Sequence, residues 1–101
     1  MPSLPAGAIE RCLTRKLRAV ERAGDHRFFE IYDDDGRVIA STAMSRSWRG
    51  STMLGPRMVA IIQQELRLRG HAKEFGELIA CPLSRDNYLS LVKSEQDSGH
   101  D

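Results

Sequence analysis

Residues 24–46 read GDHRFFEIYDDDGRVIASTAMSR, and the fold turns on how this stretch pairs with itself. Two runs of β-type residues, 26–33 and 37–44, flank Asp35-Gly36, a dipeptide that readily adopts the backbone of a tight hairpin turn. A two-residue loop there sets Tyr32 opposite Ile39, Phe28 opposite Ala43 and His26 opposite Ser45. That register gathers an imidazole, the hydroxyls of Thr42 and Ser45, and the guanidinium groups of Arg27 and Arg46 at the open end of the hairpin. A slip of one residue moves His26 off Ser45 and exchanges the two faces. Phe28, Phe29 and Tyr32 are read as core, since aromatic residues on strands usually mean packing.

Working outward, Ile9, Leu13, Leu17 and Val20, with Cys12 beside them, recur at helical spacing and predict an amphipathic helix over 8–22 stopped by Gly24. Residues 1–8, with two prolines and a glycine, read as a loose leader. On the other side, 45–52 (SRSWRGST) reads as a loop whose Ser51 or Thr52 caps a helix over 54–68, with Pro56 in the first turn. The stripe of that helix is Leu54, Met58, Ile61, Ile62 and Leu66, interrupted only by Glu65, and Gly70 ends it. A shorter helix, 72–80, buries Phe75, Leu78 and Ile79, and Pro82 breaks it. Ser84 then caps a last helix holding Tyr88, Leu89, Leu91 and Val92, and 94–101 reads as a disordered polar tail. The expected architecture is one α+β domain over 1–93 in the order α-β-β-α-α-α. Two strands alone are marginal, so a third is expected. The loop through Trp48 is one source of it, and a partner chain, a second copy included, is the other.

With 101 residues the chain is long enough for one core, and 41% apolar and 29% charged residues are ordinary for a globular protein. No apolar run approaches the roughly 18 residues of a membrane span, and the N-terminus lacks the pattern of a secretory signal, so a cytoplasmic location is expected. Cys12 and Cys81 stand far apart without a CxxC motif and read as small buried hydrophobes. The net charge of +1 conceals an asymmetry: 37–73 carries seven basic residues against Glu65 alone, whereas from Glu74 onward six acidic residues face Arg85 and Lys93. A basic body with an acidic end suits a nucleic-acid face, and a mixed, solvated surface is the plainer reading.

Taken in order, the basic first helix, Gly24-Asp25-His26 opening a strand, the return strand Arg37–Met44, the Ser/Arg loop and the helix Leu54–Leu68 followed by Lys73-Glu74-Phe75 resemble HicA-type toxins. Thr42–Arg46, Cys81-Pro82-Leu83-Ser84 and Tyr88 also resemble small prokaryotic proteins of a HicA-like kind. The resemblance spans about residues 9–76. It implies a fold like a double-stranded-RNA-binding domain, ribosome-independent cleavage of mRNA, and a cognate antitoxin protein as partner. It places the family's functional histidine at His26. Four departures stand out: the family's serine is Asp25 here, its later Pro-x-His is replaced by Ser45-Arg46, the strand that normally precedes the histidine motif is missing because Gly24 follows helix one directly, and the last two helices, 72–93, extend beyond a minimal toxin.

RNA cleavage needs proton transfer at a 2′-hydroxyl and at a leaving oxygen, together with cations for the developing phosphate charge. Histidine suits the proton transfers, because its pKa lies near neutrality. His26 and Ser45 are therefore the catalytic candidates. Arg27 and Arg46 are candidates to clamp the phosphate and Thr42 to donate to it. Trp48, between Arg46 and Arg49, either stacks on a base or plugs the sheet edge. Arg15 and Arg18 on helix one are candidates for the phosphate backbone. No metal or other cofactor is expected, since His71 and His100 have no ligand spacing with His26. Asp33-Asp34-Asp35 reads as turn chemistry. Three functional readings stand: an RNA-cleaving HicA-like protein, a non-catalytic nucleic-acid-binding accessory protein, and a protein-interaction module pairing through its hairpin edge.

Overall fold

The computed structural model describes residues 3–80 and 82–98. In chain order its elements are β1 (Leu4–Pro5), α1 (Ala6–Arg11) running on into a π-helical turn (Cys12–Lys16), β2 (Val20–Arg22), β3 (Arg27–Tyr32), β4 (Val38–Met44), β5 (Met53–Leu54), α2 (Pro56–Glu65), α3 (Ala72–Ala80) and α4 (Arg85–Ser98). This is an α+β fold: a three-stranded antiparallel sheet in the order β2-β3-β4, with four α-helices among the described residues. None of those helices is long and apolar enough to cross a membrane.

The third strand comes from the end of the predicted first helix and not from the loop through Trp48. The helix stops at Lys16 because Arg18 takes up left-handed backbone (φ 56°), and the Ala19 N–H then donates to the Leu13 carbonyl across the turn. An arginine in that conformation gives no signal in the sequence, whereas Gly24 gives a false one. Only Ile9, Leu13 and Leu17 of the anticipated stripe are buried; Val20 lies exposed on β2. The strand thought missing ahead of Gly24 is therefore present. The short strand nearest the Trp48 loop, β5, pairs instead with β1 in a separate two-stranded ribbon.

That ribbon also corrects the reading of 1–8 as a loose leader. Pro5 supplies no side-chain cap to α1. The Ala6 and Gly7 N–H groups donate instead to the carbonyls of Thr52 (2.7 Å) and Gly50 (3.0 Å). The loop after β4 thus satisfies the open donors of the helix start. It passes so close that a Cβ on Gly7 would lie 2.9 Å from the Gly50 carbonyl oxygen.

The hairpin forms with one correction near its tip. Pairs run from Arg27↔Met44 through Phe28↔Ala43 to Ile31↔Ala40, as expected, but Tyr32 faces Val38 and not Ile39. The loop holds three residues rather than two: Gly36 N–H donates to the Asp33 carbonyl, Gly36 is left-handed (φ 81°), and Asp33 N–H donates to Arg37. Asp33 Oδ1 accepts from the N–H groups of Asp35 and Arg37, which holds the turn. The longer loop is offset by the irregularity at Ile31/Tyr32, so the register below it is the one expected.

The inner face of the sheet carries Phe29, Ile31, Ala40, Thr42 and Met44, all buried beneath the helices. The outer face carries Phe28, Tyr32 and Val38, of which Phe28 and Val38 are exposed and Tyr32 half-buried, so only Phe29 of the three aromatic residues is core. Helix α2 is shorter than 54–68, with Pro56 at its first position and Gly55, which offers no side chain, as its N-cap in place of Ser51 or Thr52. The chain leaves it through Arg67 in left-handed backbone (φ 64°), and Gly70 (φ 81°) completes the turn into α3. Lys16 Nζ donates to the Leu78 carbonyl (2.8 Å) in the last turn of α3, where a cation complements the helix dipole. Helix α3 matches 72–80. Ser84 caps α4, its Oγ accepting from the Asn87 N–H (3.1 Å). Helix α4 continues to Ser98 rather than giving way to a tail at 94. Cys12 is buried; Cys81 and His100 lie outside the described residues.

Candidate functional site

The bend 24–26 joins β2 to β3, and His26 is the last residue before the β3 ladder begins. Side chains two apart on an extended strand share a face, and the His26 ring accordingly meets Phe28 edge-on, with centroids 6.3 Å apart. Antiparallel pairing brings the chain leaving β4 back to the same end. There Arg46 reaches across, and its Nε and Nη2 both donate to the Gly24 carbonyl, at 3.0 and 2.9 Å. The bend that presents His26 is thus tied to the loop that follows the hairpin.

Ser45 begins that loop. Its Oγ lies 2.8 Å from Ser47 Oγ and accepts from the Ser47 N–H, while its carbonyl accepts from the Trp48 N–H. This turn folds the half-buried Trp48 back against the core. His26, Ser45, Trp48 and Glu65 then line one cleft of about 230 Å³ between the β4 end of the sheet and α2, with Met44, Met58 and Ile61 among its apolar walls. That is below the ~300–1,000 Å³ usual for metabolite sites. It suits a single ring, such as a base or a ribose.

The remaining candidates are placed elsewhere. Thr42 is buried on the inner face, where its hydroxyl donates to Glu65 Oε1 (2.7 Å), which withdraws it from any phosphate. Arg27 points to the same inner face and is engaged by two carboxylates, Glu10 (2.6 Å) and Glu21 (2.9 Å), with its guanidinium 5.3 Å from the Phe29 ring centre. Its charge is answered within the fold, and this hub of α1, β2 and β3 is a structural one. The hydrogen bond from Arg27 holds the Glu21 carboxyl below its ordinary value of 4.5. On the outer face, Arg22 does the same to Glu30, helped by the Tyr32 hydroxyl. Arg18 sits in the left-handed turn after the first helix, and Arg15 lies along a separate groove between the first helix and α3, lined also by Arg11, Leu78 and Ile79. The basic stripe expected on helix one is therefore divided among a helix, a turn and a strand.

Arg46 and Arg49 stay exposed in the loop that carries Ser45 and Trp48, and the Arg49 N–H donates to Thr52 Oγ1. No acidic residue occurs between Gly36 and Gln64, while Arg37, Arg46, Arg49 and Arg57 do. Glu65 is the residue sequence reasoning passed over, although its signal was there: it is the one charged interruption of the apolar stripe of α2. Among the described residues no group of three His, Cys, Asp or Glu is placed to hold a metal ion. No family model, curated protein or solved structure matches the chain.

Proposed function

We propose that the protein is a HicA-like RNA-binding protein that cleaves mRNA by metal-independent chemistry, with His26 as general acid/base, and that a cognate antitoxin protein restrains it. The observation that carries this reading is the convergence of His26, Ser45 and Trp48 on one cleft beside Arg46. The order helix, three antiparallel strands, helix over Ala6–Glu65 supports it, because the resemblance calls for a strand directly ahead of the histidine motif and β2 is that strand.

In this reading Trp48 supplies the surface on which a base stacks, and Arg46 and Arg49 meet the phosphate. His26 exchanges a proton with the scissile phosphodiester, a role for which imidazole chemistry is suited. Thr42 and Arg27 have no part in substrate contact and serve the fold.

The test compares wild type with His26→Ala on a labelled single-stranded RNA, following both binding and cleavage. Cleavage slowed about 10²–10⁴-fold with RNA affinity retained is the expected result. Equal cleavage by both proteins overturns the role of His26. RNA binding that falls steeply with salt, without cleavage by wild type, returns the non-catalytic reading.

A further inference from the structure

We infer that Glu65 is the second proton-transfer group of the cleft, acting as the base toward a ribose 2′-hydroxyl while His26 protonates the leaving oxygen; this rests on the RNA-cleavage reading above.

Three observations lead there. Glu65 lines the same cleft as His26 and Ser45. Its Oε1 is fixed by the hydroxyl of Thr42, which is itself 2% exposed, while Oε2 has no hydrogen-bond donor among the described residues. One oxygen is thereby anchored and the other left open on an exposed side chain. Thr42 gives the carboxylate a structural partner, but the C-terminal end of a helix disfavours a negative charge. Glu65 is the last residue of α2, where a carboxylate opposes the helix dipole by about 0.3–1 kcal/mol, and it shares the cleft wall with Ile61 and Met58. It is the single acidic residue in 37–73, a segment with seven basic ones. A carboxylate repels a phosphate, so phosphate binding by itself gains nothing from one here. A site that must deprotonate a hydroxyl does.

The step balances without a co-reactant. Glu65 takes the 2′-hydroxyl proton as the 2′-oxygen bonds to phosphorus. The bond from phosphorus to the 5′-oxygen breaks, and the His26 imidazolium delivers its proton to that oxygen. The products are a 2′,3′-cyclic phosphate and a 5′-hydroxyl, with Glu65 left protonated and His26 neutral, to be reset through solvent. DNA, lacking the 2′-hydroxyl, is not a substrate.

The two roles separate with a leaving group that needs no proton. Wild type, His26→Ala and Glu65→Gln are assayed on RNA and on uridine 3′-(4-nitrophenyl phosphate), with RNA affinity measured in parallel. Glutamine keeps the acceptor for Thr42, so the fold is retained, and a melting curve checks it. Both variants should lose about 10²–10⁴-fold on RNA while binding it as wild type does. On the aryl ester His26→Ala should recover to within about tenfold of wild type, and Glu65→Gln should not recover. Wild-type cleavage of RNA by Glu65→Gln, or recovery by that variant alone on the ester, overturns the assignment and leaves the RNA-cleavage reading intact. Absence of RNA cleavage by wild type removes both.

Discussion

Arg46 forks onto the carbonyl of Gly24, with Nε at 3.0 Å and Nη2 at 2.9 Å, across 22 residues of chain. The three residues of the bend 24–26 carry the candidate histidine, and they belong to no ladder. Arg46→Ala should therefore loosen the bend without disturbing the hairpin. Hydrogen exchange at the amides of 25–27 is expected to rise about tenfold, with protection along Phe29–Ile31 unchanged, since a hydrogen bond to a charged donor is worth about 1.5–3 kcal/mol at most. Unchanged exchange at the bend would show that Arg46 braces nothing.

Gly7 and Gly50 are held backbone to backbone, so Gly7→Ala sets a methyl group 2.9 Å from a carbonyl oxygen that cannot rotate away. Relief requires moving the loop that caps α1. The expected cost is about 1–3 kcal/mol, read as a lower denaturant midpoint at unchanged slope.

Tyr88 is fully buried on α4, and its hydroxyl donates to the Leu66 carbonyl (2.8 Å) just beyond α2. Burial pushes its pKa well above the ordinary tyrosine value. Tyr88→Phe keeps the ring and leaves that carbonyl without its donor. A loss of about 1–3 kcal/mol is expected in equilibrium unfolding. A variant as stable as wild type would mean that another donor reaches Leu66.

The Glu21 carboxyl is held below 4.5 by Arg27, and that of Glu30 by Arg22. A carboxyl whose folded pKa is depressed stabilises the fold above its unfolded value, and this contribution is lost as pH falls through the folded pKa. Stability should thus decline from about pH 4.5 downward, where these carboxylates take up protons. Glu21→Gln should melt below wild type at neutral pH, and the gap should narrow as the pH falls below 4.5 and the carboxylate takes up its proton. A gap that stays constant between pH 6 and 3 would show that the Arg27–Glu21 pair is not the source.

Much of the fold was legible because it was locally encoded. Asp-Gly between two β-type runs determined the hairpin, and the pairing Phe28↔Ala43 followed from counting outward from it. The three-residue loop went unseen because Asp33, and not the Asp-Gly pair alone, organises the turn through its own carboxylate. Helix α3 and the Ser84 cap of α4 were visible from spacing and from Pro82. The end of the first helix was not, since helical spacing continues through Val20 while the chain departs at Arg18. The candidate site divided in the same way. His26, Ser45 and Trp48 were picked out by residue type and do line one cleft. Arg27 and Thr42 were picked out equally well by type, yet strand alternation turns both inward.

By itself the sequence determined the hairpin strands, the existence of α2, α3 and α4, the hairpin register below its tip, and which residue types stand at its open end. These depend on side-chain periodicity and turn chemistry within a few residues of each other. Only the tertiary structure decided which cations stay exposed and which are spent on carboxylates, because Glu10 and Glu21 meet Arg27 only once α1 lies against the sheet. It also decided the second carboxylate of the cleft. Glu65 and His26 are 39 positions apart in the chain, and only the packing of α2 against β4, fastened at Thr42, sets them in one place.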